Sequence, residues 1–275
     1  MNTETTPSPT ALLKGRKGLI MGVANERSIA WGIANILHQH GAELAFTYQG
    51  DAIEKRVRPL AERVGSNIVL PCDVTDDASM DKVFETLEKQ WGTFDFLVHS
   101  IAYSDKEELK GQYLSTTREN FSQTMDISCF SFTALAERAE KLMPGGGSML
   151  TLTFAGAECV IPNYNVMGVA KAALEASVRY LASDLGPNGI RVNAISPGPM
   201  RTLAGSAIGG ARHIFRWTET HAPLRSNASL DDIGGTALYL ISDLSKSVTG
   251  EVHHVDGGYH IVGIPNPDLM PQNGS

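Results

Sequence analysis

The feature that most restricts the fold is a regular alternation of short apolar runs and helix-like segments along most of the chain. Residues 17–21 form an apolar run that ends at Gly22, and Ile29, Ile33 and Leu37 then recur at helical spacing. Residues 43–48 form the next strand-like run, and the alternation continues with short connections. Right-handed crossovers between parallel strands satisfy this pattern. We therefore predict an α/β fold, a single Rossmann-type, doubly wound domain whose seven-stranded parallel sheet has helices on both faces.

The same pattern predicts the positions of the elements and the limits of the domain. The predicted strands are 17–21, 43–48, 67–70, 94–98, 148–153, 190–195 and 251–255. The predicted helices include 52–64, 76–91, a long helix from about 118 to 143, and one that ends near 185. Residues 1–11 are expected to be a disordered lead-in, 12–264 the folded domain and 265–275 a flexible tail. The first nine residues are polar, so they are predicted to be neither a signal peptide nor a membrane span.

Charge and cysteine content narrow the class of protein. The net charge is −7 and the isoelectric point is about 5.6, which makes nucleic acid an improbable main partner. Cys72, Cys129 and Cys159 lie far apart and form no Cys-x-x-Cys motif. This spacing favours a reducing compartment, and we predict a cytoplasmic location.

A tyrosine and a lysine seven residues apart are the candidate catalytic pair. Tyr164 precedes Lys171 by about two helical turns, which places both side chains on one face of a helix. A phenol can donate a hydrogen bond or proton to an oxygen that becomes negative, and a nearby ammonium stabilises that charge and can hold a sugar hydroxyl. The spacing alone is also compatible with an ordinary helical pair, so the interpretation depends on a cofactor site in front of it.

Residues 22–32, between the first strand and first helix, are the candidate phosphate-binding loop. Gly22 permits a sharp turn and a close backbone approach, and Ser28 is expected to cap the helix and offer a hydroxyl to a phosphate. The loop lacks the middle glycine of the Gly-x-Gly-x-x-Gly pattern. Without further evidence, a phosphate loop and an ordinary strand–helix turn both remain open.

Three other strand ends also suit a dinucleotide. Gln49 follows the second strand, where a residue usually contacts the adenosine ribose, and Asp73 follows the third, where it can accept from an adenine amino group or begin a helix. Small residues from Ser100 to Ala102 follow the fourth strand and permit close backbone approach. No Arg or Lys occurs from Gln49 to Ile53, which favours NADH over NADPH.

These motifs together resemble those of the short-chain dehydrogenase/reductase superfamily, and more closely those of its bacterial enoyl-[acyl-carrier-protein] reductases. The resemblance covers roughly residues 12–263 and is most specific in the Gly22 loop, the His-Ser-Ile-Ala segment at 99–102 and the segment 161–171. Segments 191–204 and 250–258 add to it. The implied cofactor-binding residues are Gly22, Ser28, Ile29, Gln49, Asp73, Val74, Ser100, Ile101, Ala102, Lys171, Met200 and Thr202.

The resemblance also implies a reaction and its residues. NADH would deliver hydride to C3 of a trans-2-enoyl thioester in fatty-acid elongation, Tyr164 would hydrogen-bond or protonate the thioester oxygen, and Lys171 would hold the nicotinamide ribose. Phe154 occupies a position where many relatives carry a second Tyr, and it is expected to pack against substrate. No metal is required. The implied substrate-binding residues are Ala102, Tyr164, Met200, Ala204 and Ala211.

Two other functions remain open at this stage. Ketone-reducing relatives usually carry Asn-Asn-Ala-Gly after the fourth strand and a catalytic Ser thirteen residues before the Tyr; here Thr151 occupies that second position. Both departures favour enoyl reduction over a short-chain dehydrogenase acting on a carbonyl or hydroxyl, such as a 3-oxoacyl reductase. Phe154 leaves room for a third possibility, a non-catalytic nucleotide-binding paralogue.

Further predictions concern partners and metals. Residues 201–225 carry four arginines against one acid, and this patch suits an acidic acyl carrier protein, with Arg212 and His213 as contacts. The glycine-rich run 205–210 is a candidate mobile lid. The resemblance implies a homotetramer built on the helices after the fourth and fifth strands. Adjacent His253 and His254 point to opposite faces of a strand, and the pair at 38 and 40 also diverges, so no metal site is predicted.

Overall fold

Seven parallel strands form the centre of the molecule. The computed structural model describes residues 11–202, 210–264 and 266–269. Within them the strands are β1 (Lys17–Met21), β2 (Glu43–Tyr48), β3 (Val69–Pro71), β4 (Phe96–His99), β5 (Gly147–Leu152), β6 (Ile190–Pro197) and β7 (Val252–Val255). They form one sheet in the order β3-β2-β1-β4-β5-β6-β7, which confirms the predicted doubly wound α/β architecture.

Helices cover both faces of this sheet. Successive residues of a strand point to opposite faces, so Leu19 and Met21 enter one core while Ile20 enters the other. The α-helices are α1 (Ile29–Gln39), α2 (Asp51–Arg63), α3 (Asp77–Trp91), α4 (Arg118–Met125), α5 (Ser131–Glu140), α6 (Asn165–Leu185), α7 (Ala211–His221) and α8 (Leu230–Ile241). The first core lies under α3, α5 and α6, and the second lies under α1, α2 and α8.

The long helix predicted over 118–143 is interrupted. Residues 126–130 form a π-helical turn between α4 and α5. The wider turn places the hydroxyl of Ser128 on the backbone of Tyr103, where it accepts from the amide at 2.9 Å and donates to the carbonyl at 3.0 Å. It also lets Ser131 reach His99 on β4. Tertiary hydrogen bonds therefore replace regular helical geometry beside the carboxyl end of β4.

Two strands, β3 and β4, begin two residues later than predicted, and β7 begins one residue later. β3 starts at Val69 because the preceding turn is held by the hydroxyl of Ser66, which donates to the carbonyl of Leu44 at 2.5 Å. β4 starts at Phe96 because the amide of Phe94 donates to Leu142, beyond α5, rather than to a neighbouring strand. Strands β1 and β2 have the predicted limits.

Between β1 and β4 the strand order reverses. The chain moves outward from β1 to β2 and β3, and then returns to the other side of β1 as β4. A crevice forms at the carboxyl ends of strands where the order reverses in this way. The residues after β1, β4, β5 and β6 therefore meet at one edge of the sheet, which holds the candidate site.

Candidate active site

Gly22 lets two strand ends approach closely at the reversal point. Its φ is +97°, in a region that favours glycine, and a Cβ at this position would lie 1.9 Å from the carbonyl oxygen of Ser100. The amide of Ser100 donates to Met21 at 3.1 Å. The loop after β1 and the Ser100–Ala102 segment after β4 thus form one wall of exposed backbone, which a larger residue at position 22 would disrupt.

Ser28 organises this loop in a different way from the one predicted. Its hydroxyl oxygen accepts from the amides of Ala24 and Asn25, both at 3.0 Å, and makes no capping bond to α1. The predicted side-chain cap is therefore wrong, because the hydroxyl oxygen that a cap would need already accepts hydrogen bonds from the loop before the helix. Ile29 begins α1, and the first amides of a helix lack partners within the helix and attract an anion.

Gln49 and Asp73 are brought together at the ends of β2 and β3. The amide nitrogen Nε2 of Gln49 donates to Oδ2 of Asp73 at 3.0 Å. Oδ1 of Asp73 accepts from the backbone and hydroxyl of Thr75, which lowers the pKa of this carboxyl. The cap of α3 is Asp76, so Asp73 does not have the helix-beginning role that the sequence left open. Val74 beside it is buried.

A cavity of about 280 Å³ lies where the segment after β6 faces the loop after β1. Met200 and Thr202 line it, and so does Arg27, which was not predicted from the sequence. The guanidinium of Arg201 lies 4.3 Å from the ring centroid of Phe215, which holds a positive charge at the same cavity. No local pattern marks Arg27, since its relation to Arg201 depends on how the two loops meet.

Two of the predicted substrate-binding residues cannot be placed. Ala204 lies outside the described residues, as does most of the proposed 205–210 lid. Ala211 begins α7, but its side chain also lies outside the description. Ala102 is exposed after β4, and Met200 is partly buried at the cavity.

The observed shape suits a dinucleotide. The backbone contact of Gly22 with Ser100, the beginning of α1 and the Arg27–Thr202 cavity all lie at the carboxyl edge of the sheet, where doubly wound folds bind dinucleotides. The Gln49–Asp73 pair closes the adenosine end without a basic residue between 49 and 53. The residues present therefore fit a nicotinamide dinucleotide.

Tyr164 is held in an unusual backbone setting. It is the N-cap residue of α6, and its neighbours Asn163 and Asn165 have φ values of 60° and 39°. Asparagine tolerates such left-handed values better than most residues do. The side-chain amide of Asn165 donates to the carbonyl of Leu109 at 3.1 Å. This hydrogen bond connects the segment after β4 to the turn that contains Tyr164.

The ring of Tyr164 fills a space that glycines leave open. A Cβ on Gly156 would lie 2.3 Å from the ring atom Cδ1 of Tyr164, and a Cβ on Gly168 would lie 2.7 Å from the carbonyl oxygen of Gly156. Burial raises the pKa of Tyr164 above its usual range, and the charge of Glu175 acts in the same direction. The phenol therefore keeps its proton and can act as a donor.

Lys171 lies two turns along α6 and is also buried. Its Nζ donates to the carbonyl oxygen of Leu152 at the end of β5, at 2.7 Å. Burial lowers the pKa of Lys171 to about 8, while the field of Glu175 opposes that shift. The ammonium thus sits at the carboxyl edge of the sheet, close to where the ends of β5 and β4 meet.

Phe154 and Tyr164 contribute to a small apolar cluster. Their ring centroids are 5.2 Å apart with an interplanar angle of 70°, an edge-to-face arrangement. Ile214 from α7 and Tyr259 from the C-terminal segment pack against the same cluster and were not predicted from the sequence. The other members are Leu109, Ile161, Val166 and Met167. The arrangement offers an apolar surface on which the phenol of Tyr164 is buried and that of Tyr259 is partly buried.

Thr151 does not reach this surface. It is fully buried on β5, and its Oγ1 lies 2.9 Å from Nδ1 of His99. Nε2 of the same imidazole lies 2.9 Å from the hydroxyl of Ser131, which itself donates to Ile127 at 2.7 Å. Burial lowers the pKa of His99 to about 3, so the ring is neutral. These partners fit a ring that donates from Nε2 and accepts from Thr151 at Nδ1.

The predicted carrier contacts lie on an exposed helix. Arg212 and His213 are exposed near the start of α7, as is Arg216 one turn later. Arg225 belongs to a different feature, because its guanidinium donates to the carbonyl of Thr220 at 2.8 Å near the end of the helix. Arg201 and Arg225 are exposed as well, so all four arginines counted in the sequence contribute to the exposed positive charge.

The described residues contain neither a group of metal ligands nor a membrane-spanning helix. Over residues 11–202, 210–264 and 266–269, no three His, Cys, Asp or Glu side chains are grouped so that they could hold a metal ion. His254 instead pairs with Glu158 at 2.9 Å and stacks on His260, while His253 faces Tyr239. In the same part of the chain, no helix combines the length and apolar character that crossing a membrane requires.

Comparisons with known proteins find enoyl-[acyl-carrier-protein] reductases. A family model described as "Enoyl-(Acyl carrier protein) reductase" matches residues 22–260. Enoyl-[acyl-carrier-protein] reductase [NADH] 1 of Rhizobium meliloti is 62% identical over 259 residues, which cover 94% of this chain and 95% of that protein. The crystal structure of FabI from Candidatus Liberibacter asiaticus superposes with a TM-score of 0.91 at 57% identity, covering 93% of this chain and 99% of the other. The Anaplasma phagocytophilum reductase in complex with NAD gives 0.90 at 56% identity, covering 93% and 97%.

Proposed function

The chain belongs to the enoyl-(acyl carrier protein) reductase family, and we infer that it reduces the trans-2 double bond of enoyl-acyl-carrier-protein thioesters with NADH. The reaction places it in fatty-acid elongation. The cofactor assignment agrees with the related Anaplasma structure, which is a complex with NAD, and with the absence of Arg or Lys from Gln49 to Ile53.

One observation carries the choice of reaction. Tyr164 presents the buried phenol of the apolar cluster, while the hydroxyl of Thr151 is occupied by His99 behind it. A carbonyl reductase of the related type needs a second hydroxyl beside the tyrosine to polarise a ketone. Because Thr151 is turned away from the site, the geometry favours a substrate whose charge is delocalised onto a thioester oxygen and needs one strong donor.

The cofactor would supply the hydride, and the chain's own residues would supply a hydrogen-bond donor, a positive charge and an apolar wall. NADH, when bound, supplies the hydride that adds to C3 of the enoyl thioester. We assign to Tyr164 the hydrogen bond to the thioester oxygen, whose charge grows as C3 is reduced before C2 is protonated. Lys171 has the nicotinamide ribose hydroxyls as its proposed partners and adds positive potential. Phe154 and its apolar neighbours orient the chain and exclude water.

We propose the cofactor-binding roles from the positions of the residues along the crevice. Gly22 and Ser100 provide the backbone wall, the start of α1 and Thr202 are assigned to the diphosphate, and Gln49 with Asp73 is assigned to the adenosine. Val74, Ile101, Ala102 and Met200 complete the proposed site, and Met200 and Ala102 are also proposed to border the substrate together with Ala204 and Ala211. We add Arg27 because it lines the same cavity as Thr202.

A substrate comparison tests this function. The enzyme is mixed with NADH and crotonyl thioester or acetoacetyl thioester, and loss of NADH absorbance is followed for each. We expect NADH to be oxidised with the enoyl thioester and not with the ketone. Oxidation with the acetoacetyl thioester alone would indicate a carbonyl reductase. Binding of NADH in calorimetry without turnover of any enoyl chain length would indicate a non-catalytic protein.

We propose that the exposed start of α7 meets the acyl carrier protein. Arg212, His213 and Arg216 form a positive surface on the helix whose Ile214 packs against the substrate cluster. An acidic carrier would be attracted to this helix while its acyl group enters beside Ile214. Arg212→Glu is expected to raise KM for a carrier-linked substrate, with little effect on a small thioester.

We further propose a homotetramer of chains that each contain one catalytic domain over residues 12–264, in the cytoplasm. Helices α4 to α6 support the assembly, since they expose large apolar side chains that include Phe121, Phe130 and Tyr180. Three free cysteines support a reducing compartment. Light scattering coupled to gel filtration checks the assembly, and a monomer at assay concentration would contradict it.

A further inference from the structure

A buried carboxyl behind the catalytic pair has no part in the reaction described above. Glu175 lies on α6 one turn beyond Lys171, and only 8% of its surface is exposed. Its Oε1 accepts from the hydroxyl of Thr153 at 2.6 Å. Burying a carboxyl raises the free energy of the folded protein unless a hydrogen-bond partner replaces the lost water. Thr153 is such a partner for Glu175.

The two side chains of α6 hold consecutive residues of the same strand end. Lys171 donates to the carbonyl of Leu152, and Glu175 accepts from the side chain of Thr153. The backbone amide of Thr153 also donates to Ile195 on β6 at 2.8 Å. The strand end is therefore fastened to α6 through side chains and to the sheet through its backbone.

Phe154 follows directly after this double attachment. Its backbone is extended, with φ −162° and ψ 153°, and its ring meets Tyr164 edge to face at 5.2 Å. The next turn, residues 155–157, presses Gly156 against the Tyr164 ring. Any change in the direction of the chain at Thr153 would therefore be carried to Phe154 and to the wall on which Tyr164 rests.

We propose that Glu175 is a positioning residue for the enoyl reduction. It acts through the hydrogen bond that it accepts from Thr153, and this bond fixes the position of Phe154 relative to Tyr164. This inference rests on the proposed function, because Phe154 and Tyr164 matter together only if they share one substrate. Glu175 touches neither substrate nor cofactor in this scheme. Its contribution is the alignment of the apolar wall with the phenol.

The charges around Glu175 require a separate control. Lys171 and Arg179 on its own helix, Glu158 after β5 and His254 on β7 all act on its carboxyl electrostatically. Burial raises the pKa of Glu175, whereas the bond from Thr153 lowers it. Glu175→Gln removes the charge and keeps an oxygen that can accept from Thr153, so it separates charge from hydrogen bonding.

The experiment compares four variants of the full-length enzyme with crotonyl thioester and NADH. Thr153→Val removes the hydroxyl at nearly constant shape, Thr153→Ser restores a donor, and Glu175→Gln retains the acceptor. Thr86→Val is the matched control, because its hydroxyl donates to Lys82 at 2.7 Å on an exposed part of α3. Rates are divided by the concentration of NADH-binding sites from titration, so that unfolded protein does not count as lost catalysis.

We expect kcat of Thr153→Val to fall about tenfold, as the loss of one buried hydrogen bond and a small misplacement would give. The Kd for NADH should stay within about twofold, and the serine, glutamine and Thr86→Val enzymes should retain most of the wild-type kcat. Wild-type kcat per site in Thr153→Val would overturn the inference, as would a large loss in Glu175→Gln alone. An inactive wild-type enzyme would instead refute the proposed function.

Discussion

Replacing Gly156 by alanine should displace the catalytic ring while leaving the fold intact. Gly156 lies in the short turn 155–157, whose helical backbone accepts alanine. The added Cβ would lie 2.3 Å from Cδ1 and 2.7 Å from Cε1 of Tyr164, whereas ordinary contact begins near 3.4 Å. The ring or the turn must therefore move by about 1 Å, since a packed interior has little room to absorb the extra atom.

A displacement of that size has a predictable kinetic cost. A misplacement of about 1 Å at a reacting group costs roughly a hundredfold in rate, or about 2.7 kcal/mol of activation free energy. Gly156 has no assigned contact with the cofactor crevice at Gly22 and Ser100, so NADH should bind normally. We expect Gly156→Ala to lose most of its kcat with crotonyl thioester at nearly unchanged Kd for NADH.

Steady-state kinetics measures kcat, calorimetric titration measures the Kd for NADH, and thermal melting tests whether the fold is intact. Gly235→Ala on α8 is the matched control, because its added Cβ meets no atom within 4 Å apart from its chain neighbours and the backbone of its own helix. Gly168→Ala should behave like Gly156→Ala, since its Cβ would press on the carbonyl of Gly156 at 2.7 Å. A Gly156→Ala enzyme that melts normally, binds NADH and turns over at the wild-type rate would refute the assignment of the Tyr164 ring position to catalysis.

Five further predictions test other parts of the site. Thr151→Val leaves Nδ1 of His99 without its donor and should destabilise the fold by about 1–3 kcal/mol in denaturant unfolding, with kcat of the folded enzyme largely retained; a collapse of kcat would make Thr151 catalytic. Tyr164→Phe should lower kcat far more than NADH affinity, whereas Lys171→Ala should weaken NADH binding, and unchanged affinity would remove the ribose role. Because Lys171 has a pKa of about 8 and is cationic only below it, kcat/KM for NADH should fall as pH rises through about 8. Arg212→Glu should raise KM for carrier-linked substrate in a salt-dependent manner, and an equal change with a small thioester would exclude a carrier contact.

Much of the framework follows from local patterns in the chain. Apolar runs and helical spacing predict β1 and β2 with their observed limits and place Gly22, Gln49, Asp73 and Ser100 at strand ends. The carboxyl ends of parallel strands meet at one edge of a sheet, so the crevice could be predicted without coordinates. These features depend on residues close together in sequence, where periodicity and backbone preference are strongest.

The hydrogen-bond partners of the polar residues could not be predicted in this way. Ser28 closes a loop instead of capping a helix, Asp73 pairs with Gln49, and Thr151 is held by His99, 52 residues away in sequence. Each hydroxyl or carboxyl has several compatible partners, and packing decides which one lies within hydrogen-bond distance.

The surroundings of Tyr164 show the same limit. Its position before Lys171 and between two asparagines is a property of the sequence, as is the presence of Phe154 ten residues earlier. The sequence does not reveal that Ile214 and Tyr259 complete the apolar wall, or that Glu175 holds the strand end behind it. These contacts join segments that are far apart in the chain, so they exist only once the sheet and its helices have assembled.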